Sequence, residues 1–341
     1  MHEKQIGEVK KLLERSRNIA VVSHRNPDGD AYGSSLALAQ LLKKLGHATT
    51  VISPNDCPNF LKWMPGQDEI LIFEEQTAKA KEILGKAEII FTLDFNALNR
   101  VGHDMERALL DIEPIYIMID HHQEPDDYAA YSYVDPNICS TSQLVFQWAI
   151  EMGWEKYLDK DIATCIYTGI LTDTGSFRFS NTNGDTHRIV GNLLDLGVEH
   201  TNVYREIHEN SINRLKLLGK ALKNLVYLKE FRTAFITLKN YELKQCNYQK
   251  GDTEGFVNYA LSLSNVVLAA IFIEDKQQNI VKISFRSTGD FNVNELAREY
   301  FNGGGHINAA GGKSDLGLRE TVDDFMAILP KYKDALLACY E

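Results

Sequence analysis

The chain is short of positive charge: 36 Lys and Arg stand against 47 Asp and Glu, for a formal net charge of −11 at pH 7. A binder of long duplex DNA needs a basic face to displace counterions, so that class is excluded. A small phosphorylated substrate is not excluded, because bound divalent ions supply local positive charge. Long apolar runs are missing as well. No stretch approaches the ~20 residues of a membrane span. The opening segment, Met1-His2-Glu3-Lys4-Gln5, lacks the apolar core of a signal peptide. Cysteine is sparse: Cys57, Cys139, Cys165, Cys246 and Cys339 are scattered, odd in number and never spaced as CxxC. They read as reduced structural thiols, so a cytoplasmic location is expected. There is no internal repeat and no low-complexity tract.

At 341 residues the chain is too long for one ordinary core, and two domains are expected. Its first part alternates apolar runs with helical patterns. The strands expected are Ile19–His24, Ala48–Ser53, Glu88–Phe95 and Pro114–His122. Helices are expected over Ser34–Leu45, Thr77–Leu84 and Met105–Leu110, and the segment from Ser140 to Gly197 reads as mostly helical. Such alternation predicts a doubly wound, mainly parallel α/β sheet. In that architecture ligands bind at the carboxyl ends of the strands.

The loop after the first strand carries the densest chemistry. His24, Asp28 and Asp30 offer one nitrogen and two hard oxygens around Pro27 and Gly29, with no sulfur. That set suits Mn²⁺ or Mg²⁺ better than a soft metal. The competing reading makes the aspartates turn formers or helix caps. Two further strand ends repeat the pattern: Asp94 closes one apolar run, and Asp120-His121-His122 closes another. Asp94 taken alone reads as a helix cap. The adjacent histidines are harder to explain by packing, because imidazole offers a buried strand end no advantage. Asp173 sits at the end of the helical run Ile162–Leu171, where the helix dipole disfavours a carboxylate and a cation would offset the cost.

A polar, helical connection is expected from Val198 to about Leu228, dividing a domain of residues 1–212 from one of residues 213–341. In the second domain Phe231–Leu238, Val266–Ile273 and Ile280–Ser287 read as strands. Thr253–Leu263, Asn294–Phe301 and Arg319–Cys339 read as helices. Arg286 ends a strand of period two. The run Gly303-Gly304-Gly305-His306 is either a flexible loop or a place where backbone amides approach an anion.

Taken together, His24-x-x-x-Asp28-x-Asp30, Asp94, Asp120-His121-His122 and Asp173 resemble the four motifs of the DHH phosphoesterases, in the family's order. Gly303 to Gly311 is similar to the signature of the DHH-associated C-terminal domain. The resemblance covers the chain from Ile19 to about Gly312 and is nearest to the compact nanoRNase and 3′-phosphoadenosine-5′-phosphate phosphatase branch. It implies a smaller C-terminal α/β domain and an active site in a cleft between the two domains. It also implies two divalent ions, Mn²⁺ preferred with Mg²⁺ second. His24, Asp28 and Asp94 would hold one ion, and Asp30, Asp94, His121 and Asp173 the other, with Asp94 bridging. Asp120 would orient its neighbours, and His122 would act near the phosphoryl group. Arg286, Gly304, Gly305 and His306 would contact the substrate. Paired ions roughly 3.5–4 Å apart suit in-line phosphoryl displacement. The implied activity is hydrolysis of short single-stranded oligoribonucleotides, removal of the 3′-phosphate of phosphoadenosine phosphate, or both. Polyphosphate, pyrophosphate and linear or cyclic dinucleotides are the alternative substrates. A non-enzymatic nucleotide-binding protein is disfavoured because every ligand residue is present. No membrane partner is expected, and homodimerisation is left open. Tyr128, Tyr131, Tyr133, Phe177 and Phe179 lie near the metal motifs, and packing is the expectation for most of them.

Overall fold

Every residue of Ile19-Ala20-Val21-Val22-Ser23 is essentially inaccessible, so this run forms a central strand covered on both faces. Its side chains alternate between two apolar clusters. Ile19 and Val21 join Phe91, Ile117 and Ile119 on one face, while Ala20 and Val22 join Ile52 and Ile90 on the other. The computed structural model describes residues 3–339; Met1 and His2, the first residues of the opening segment, lie outside the described residues. Two units divide the chain, the first ending at Glu209 and the second starting at Asn210.

The first unit contains strands β1 (Asn18–Ser23), β2 (Ala48–Ser53), β3 (Leu71–Ile72), β4 (Ile89–Leu93), β5 (Ile115–Asp120) and β6 (Tyr131–Val134). They form one sheet in the order β3-β2-β1-β4-β5-β6, and every pairing is parallel. The order reverses between β1 and β4, which pair in register from Ile19↔Ile89 to Ser23↔Leu93. A reversal of this kind opens a crevice beyond the carboxyl ends of the two strands. The doubly wound parallel architecture expected from the alternation is therefore present, with β3 and β6 added as short strands.

The second unit contains β7 (Val226–Leu228), β8 (Thr233–Leu238), β9 (Leu268–Asp275), β10 (Ile280–Ser287), β11 (Gly304–His306) and β12 (Ala309–Ser314). Their order is β11-β12-β10-β9-β8-β7, and only β8 and β9 run parallel. Phe235, Phe272 and Phe285 pack on one face of this sheet, and Ala234, Ile236 and Ile271 on the other.

Several local expectations change. The helix expected from Ser34 begins at Gly29, because Asp28 Oδ1 accepts from the amides of Asp30 and Ala31, both at 3.0 Å. The polar connection is not one helix. It is two, His200–His208 and Ile212–Lys223, with Ser211 Oγ capping the second, and it ends in β7. The helix expected over Arg319–Cys339 is interrupted at Pro330, which lacks the amide a continuing helix needs. Gly303 to Gly305 is not a loose loop: Gly304–His306 pairs with β12 as a hairpin. No helix among the described residues is long and apolar enough to cross a membrane. All five cysteines are free thiols, four of them buried.

Candidate metal centre

The crevice between β1 and β4 is lined by the groups that the strand ends deliver. His24 leaves β1, and Asp28 and Asp30 follow at the start of the helix Gly29–Lys44. Asp28 is thus a helix cap and a candidate ligand at once. Asp94 follows β4 directly and caps no helix. It adopts φ +66°, a left-handed conformation that residues with a Cβ rarely take, and it is only 2% exposed. Asp120, His121 and His122 end β5 and continue past it, and Asp173 ends the helix Lys160–Asp173.

These side chains meet. His24 Nε2 lies 3.4 Å from Asp94 Oδ2 and 3.9 Å from Asp28 Oδ1. His121 Nε2 lies 3.5 Å from Asp94 Oδ1, 3.9 Å from Asp30 Oδ2 and 3.3 Å from Asp173 Oδ2. Three donor groups result within the first unit, His24 with Asp28 and Asp94, Asp30 with Asp94 and His121, and Asp94 with Asp120 and His122, the ligand atoms of each lying within 4.8 Å of one another. Asp94 belongs to all three.

The imidazoles are oriented from behind. His24 Nδ1 donates to the Arg25 carbonyl at 2.9 Å and His121 Nδ1 to the Ile138 carbonyl at 3.2 Å. A carbonyl can only accept, so Nδ1 carries the proton and Nε2 offers its lone pair, the arrangement of metal-ligating histidines. His122 Nδ1 donates instead to Asp120 Oδ1 at 2.8 Å, and Asp120 is fully buried. This carboxylate–imidazole pair adjoins the first two groups through Asp94, whose Oδ1 lies 3.9 Å from His122 Nδ1.

Burial and the neighbouring charges of Asp30, Asp28, Asp173 and Asp120 hold the Asp94 carboxyl well above the usual range. Burial likewise raises Asp30, and it lowers His24, which favours the neutral imidazole a cation requires. At His121 burial pulls downward, but the charges of Asp173, Asp30 and Asp120 outweigh it and the net shift is upward. Such crowding of buried carboxylates is costly without a counter-charge. A divalent cation in either of the first two donor groups would remove the conflict, and the all-nitrogen-and-oxygen set fits Mn²⁺ or Mg²⁺.

Part of the centre escapes a reading of the sequence. Asp30 Oδ2 and Oδ1 accept from the amides of Thr141 and Ser142, at 2.6 and 2.8 Å, at the start of the helix Thr141–Glu151. Thr141 Oγ1 also donates to Asp94 Oδ1 at 3.0 Å. The visible hint was Ser140-Thr141-Ser142 ahead of an apolar run, a helix-start signature, and Ser140 does cap that helix. Gly169 is a second hidden participant. A Cβ there would lie 1.9 Å from Ser142 Oγ and 2.7 Å from Asp30 Oδ1, so only glycine lets the helix carrying Asp173 pass this close.

In the second unit Arg286 and His306 both stand opposite Ala309, one on each flanking strand. Directly opposed residues share a sheet face, so these two side chains emerge on one face, roughly 10 Å apart across two strand spacings. Arg286 Nη1 donates to the Phe285 carbonyl at 2.9 Å. The glycines here serve close strand approach. A Cβ on Gly303 would lie 2.0 Å from the Gly311 carbonyl oxygen, and one on Gly305 2.4 Å from that of Ala309. The amide of Gly305 donates to Asn294 Oδ1 at 2.9 Å.

Residues 18–170 match the DHH family, N-terminal domain, and residues 235–334 match the DHHA1 domain. A bifunctional oligoribonuclease and PAP phosphatase from Thermus thermophilus is 30% identical over 306 residues, 90% of this chain and 86% of that protein. Its counterpart in Bacillus subtilis is 27% identical over 296 residues, 85% of this chain and 88% of that protein. The crystal structure of an exopolyphosphatase-related protein from Bacteroides fragilis superposes with a TM-score of 0.94 at 41% identity, covering 98% of each chain. With both domains matched, and its Asp120-His121-His122 triplet at the crevice of the parallel sheet, the chain belongs to the DHH family of phosphoesterases.

Proposed function

We propose that the chain is a two-metal phosphoesterase, with Mn²⁺ preferred to Mg²⁺, acting on short oligoribonucleotides and on the 3′-phosphate of phosphoadenosine phosphate. The observation that carries this reading is the sharing of Asp94 by two donor groups at the β1–β4 crevice. His24, Asp28 and Asp94 are assigned to one ion, and Asp30, Asp94, His121 and Asp173 to the other. When bound, two such ions supply positive charge against the phosphoryl oxygens and lower the pKa of water toward ~7.

The chain's own side chains do the rest. The proton on Nδ1 of His24 and His121 is held by backbone carbonyls, so neither ring can turn its lone pair away. Asp120 accepts the Nδ1 proton of His122 and fixes that tautomer, leaving the Nε2 lone pair to take a proton from water and, as the imidazolium, pass it to the departing oxygen. Arg286, Gly304, Gly305 and His306 are assigned to the substrate. The guanidinium fork suits bidentate contact with phosphate, and His306 rises from the same sheet face.

The substrate follows the two bifunctional relatives, which cover most of this chain. Polyphosphate is a second reading, favoured by the 41% identical exopolyphosphatase-related protein. Purified chain loaded with Mn²⁺ or Mg²⁺ is offered di- to pentaribonucleotides, phosphoadenosine phosphate, polyphosphate, pyrophosphate, and linear and cyclic dinucleotides. The highest kcat/KM is expected for the short ribonucleotides or phosphoadenosine phosphate with Mn²⁺. A preference for polyphosphate or pyrophosphate would replace the first reading with the second.

A further inference from the structure

The turn after Asp173 is built in a way that its role as a connection does not require. Gly175, Ser176 and Phe177 have φ of +55°, +62° and +63°, three left-handed residues in succession, two of them bearing side chains. That conformation is unfavourable for a residue with a Cβ and persists only when its surroundings enforce it. Here they do. The Ser176 amide donates to the Leu171 carbonyl at 2.8 Å, and the Phe177 amide to Thr174 Oγ1 at 3.0 Å. The Phe179 amide donates to the Thr174 carbonyl at 3.1 Å, and Arg178 Nε to the Gly175 carbonyl at 2.7 Å.

The consequence is that two phenylalanines two positions apart go opposite ways. Phe177 turns inward against the core, its ring 6.3 Å from that of Tyr167. Phe179 joins none of the apolar clusters and pairs with no other ring among the described residues, and it is 36% exposed. Its ring tip folds over the bare backbone of Gly175, where a Cβ would lie 2.5–2.8 Å from ring carbons. Gly175 is two residues from Asp173, so their Cα atoms lie at most roughly 7.6 Å apart. A scattered exposed apolar residue needs no explanation. A ring held out by three enforced left-handed residues, beside a carboxylate 3.3 Å from His121 Nε2, does.

We propose that Phe179 is a stacking platform for a nucleobase of the substrate, and that the left-handed turn exists to hold it beside Asp173. The proposal rests on the functional reading above and narrows it to substrates that carry a base. Stacking suits this position because every base presents a π-face, so one ring serves a mixed set of short oligonucleotides.

The test uses the full chain loaded with Mn²⁺, a diadenylate, and two analogues in which one or the other nucleotide lacks its base. Phe179→Ala should lose roughly 5- to 150-fold in kcat/KM on the diadenylate, the range for one base–aromatic stack. It should lose nothing against wild type on one of the two base-free analogues, and Phe179→Trp should keep activity on the diadenylate. Metal content should be unchanged. Equal losses on all three substrates would show that Phe179 supports the fold, and no loss on the diadenylate would show that nothing stacks there; either overturns the proposal while leaving the functional reading intact. If the wild type cleaves none of the three, the functional reading fails and the stacking proposal falls with it.

Discussion

Asp94→Asn separates the two demands placed on the most crowded side chain of the centre. Asparagine keeps the shape and keeps an acceptor for Thr141 Oγ1, but it removes the charge that the donor groups share. In chelator at neutral pH the variant should be at least as stable as wild type. The reason is the raised pKa: burial and four neighbouring carboxylates favour the protonated form of Asp94 in the folded chain. A carboxyl whose folded pKa is raised contributes stability that is present below its ordinary value of 3.8 and lost as pH climbs through the raised value. Wild-type stability in chelator should therefore fall relative to Asp94→Asn as pH rises, with the two converging in acid. Added metal should reverse the order. A cation at 100 times its Kd stabilises the folded state by about 2.7 kcal/mol. For a unit of 150–250 residues that is a rise in Tm of roughly 5–11 °C per ion. Scanning calorimetry in chelator and in Mn²⁺, between pH 5 and pH 8, measures all four quantities. Equal metal-induced shifts in wild type and variant would refute the sharing of Asp94. So would a chelated variant that melts well below wild type at neutral pH.

Asp120→Asn removes the charge that favours the protonated His122 ring and lets an amide NH2 compete for Nδ1, so kcat should drop, with metal affinity weakened by the ~10–100-fold typical of groups behind the ligands. Loss of metal as complete as in Asp94→Asn, read by elemental analysis, would place Asp120 among the ligands. Gly169→Ala drives a methyl group into Ser142 Oγ and Asp30 Oδ1. It should cost about 1–3 kcal/mol by overpacking and weaken binding of the ion assigned to Asp30 and His121, measured by denaturant melts and metal titration. An unchanged Kd there would separate Gly169 from the metal centre. Arg286→Ala should raise KM for nucleotide substrates while sparing hydrolysis of bis-p-nitrophenyl phosphate; equal losses on both would show that Arg286 supports the fold.

Much of the first unit is legible in the sequence. A parallel strand covered on both faces is apolar along most of its length, so β1, β4 and β5 stand out as nearly unbroken runs and their carboxyl ends are easy to find. The identity of the donors is equally plain, because an imidazole or carboxylate at the end of such a run has no packing reason to be there. Less legible are the elements whose cause lies elsewhere in the chain. The two residues of β3 and the hairpin of β11 and β12 carry no period long enough to read. The break at Ser211 depends on one capping hydroxyl inside an otherwise helical pattern.

What the sequence by itself determined was chemical: which strand ends bear nitrogen and oxygen donors, and that no cysteine stands among them. Only the tertiary structure decided which of them meet. Asp94 reads as a helix cap until the reversal of strand order between β1 and β4 places it against His24 on one side and His121 on the other. Asp30 takes its two hydrogen bonds from amides more than a hundred residues away, and Gly169 is a glycine because of atoms that only folding brings within 3 Å of where its Cβ would stand. The glycines at 303 and 305 admit either a loose loop or an anion cradle in the sequence, and carbonyl oxygens of Gly311 and Ala309 show that they let the backbone approach closely, which excludes the loose loop. Local chemistry is written residue by residue, but distance between residues far apart in the chain is set by strand order and close packing, which no single segment contains.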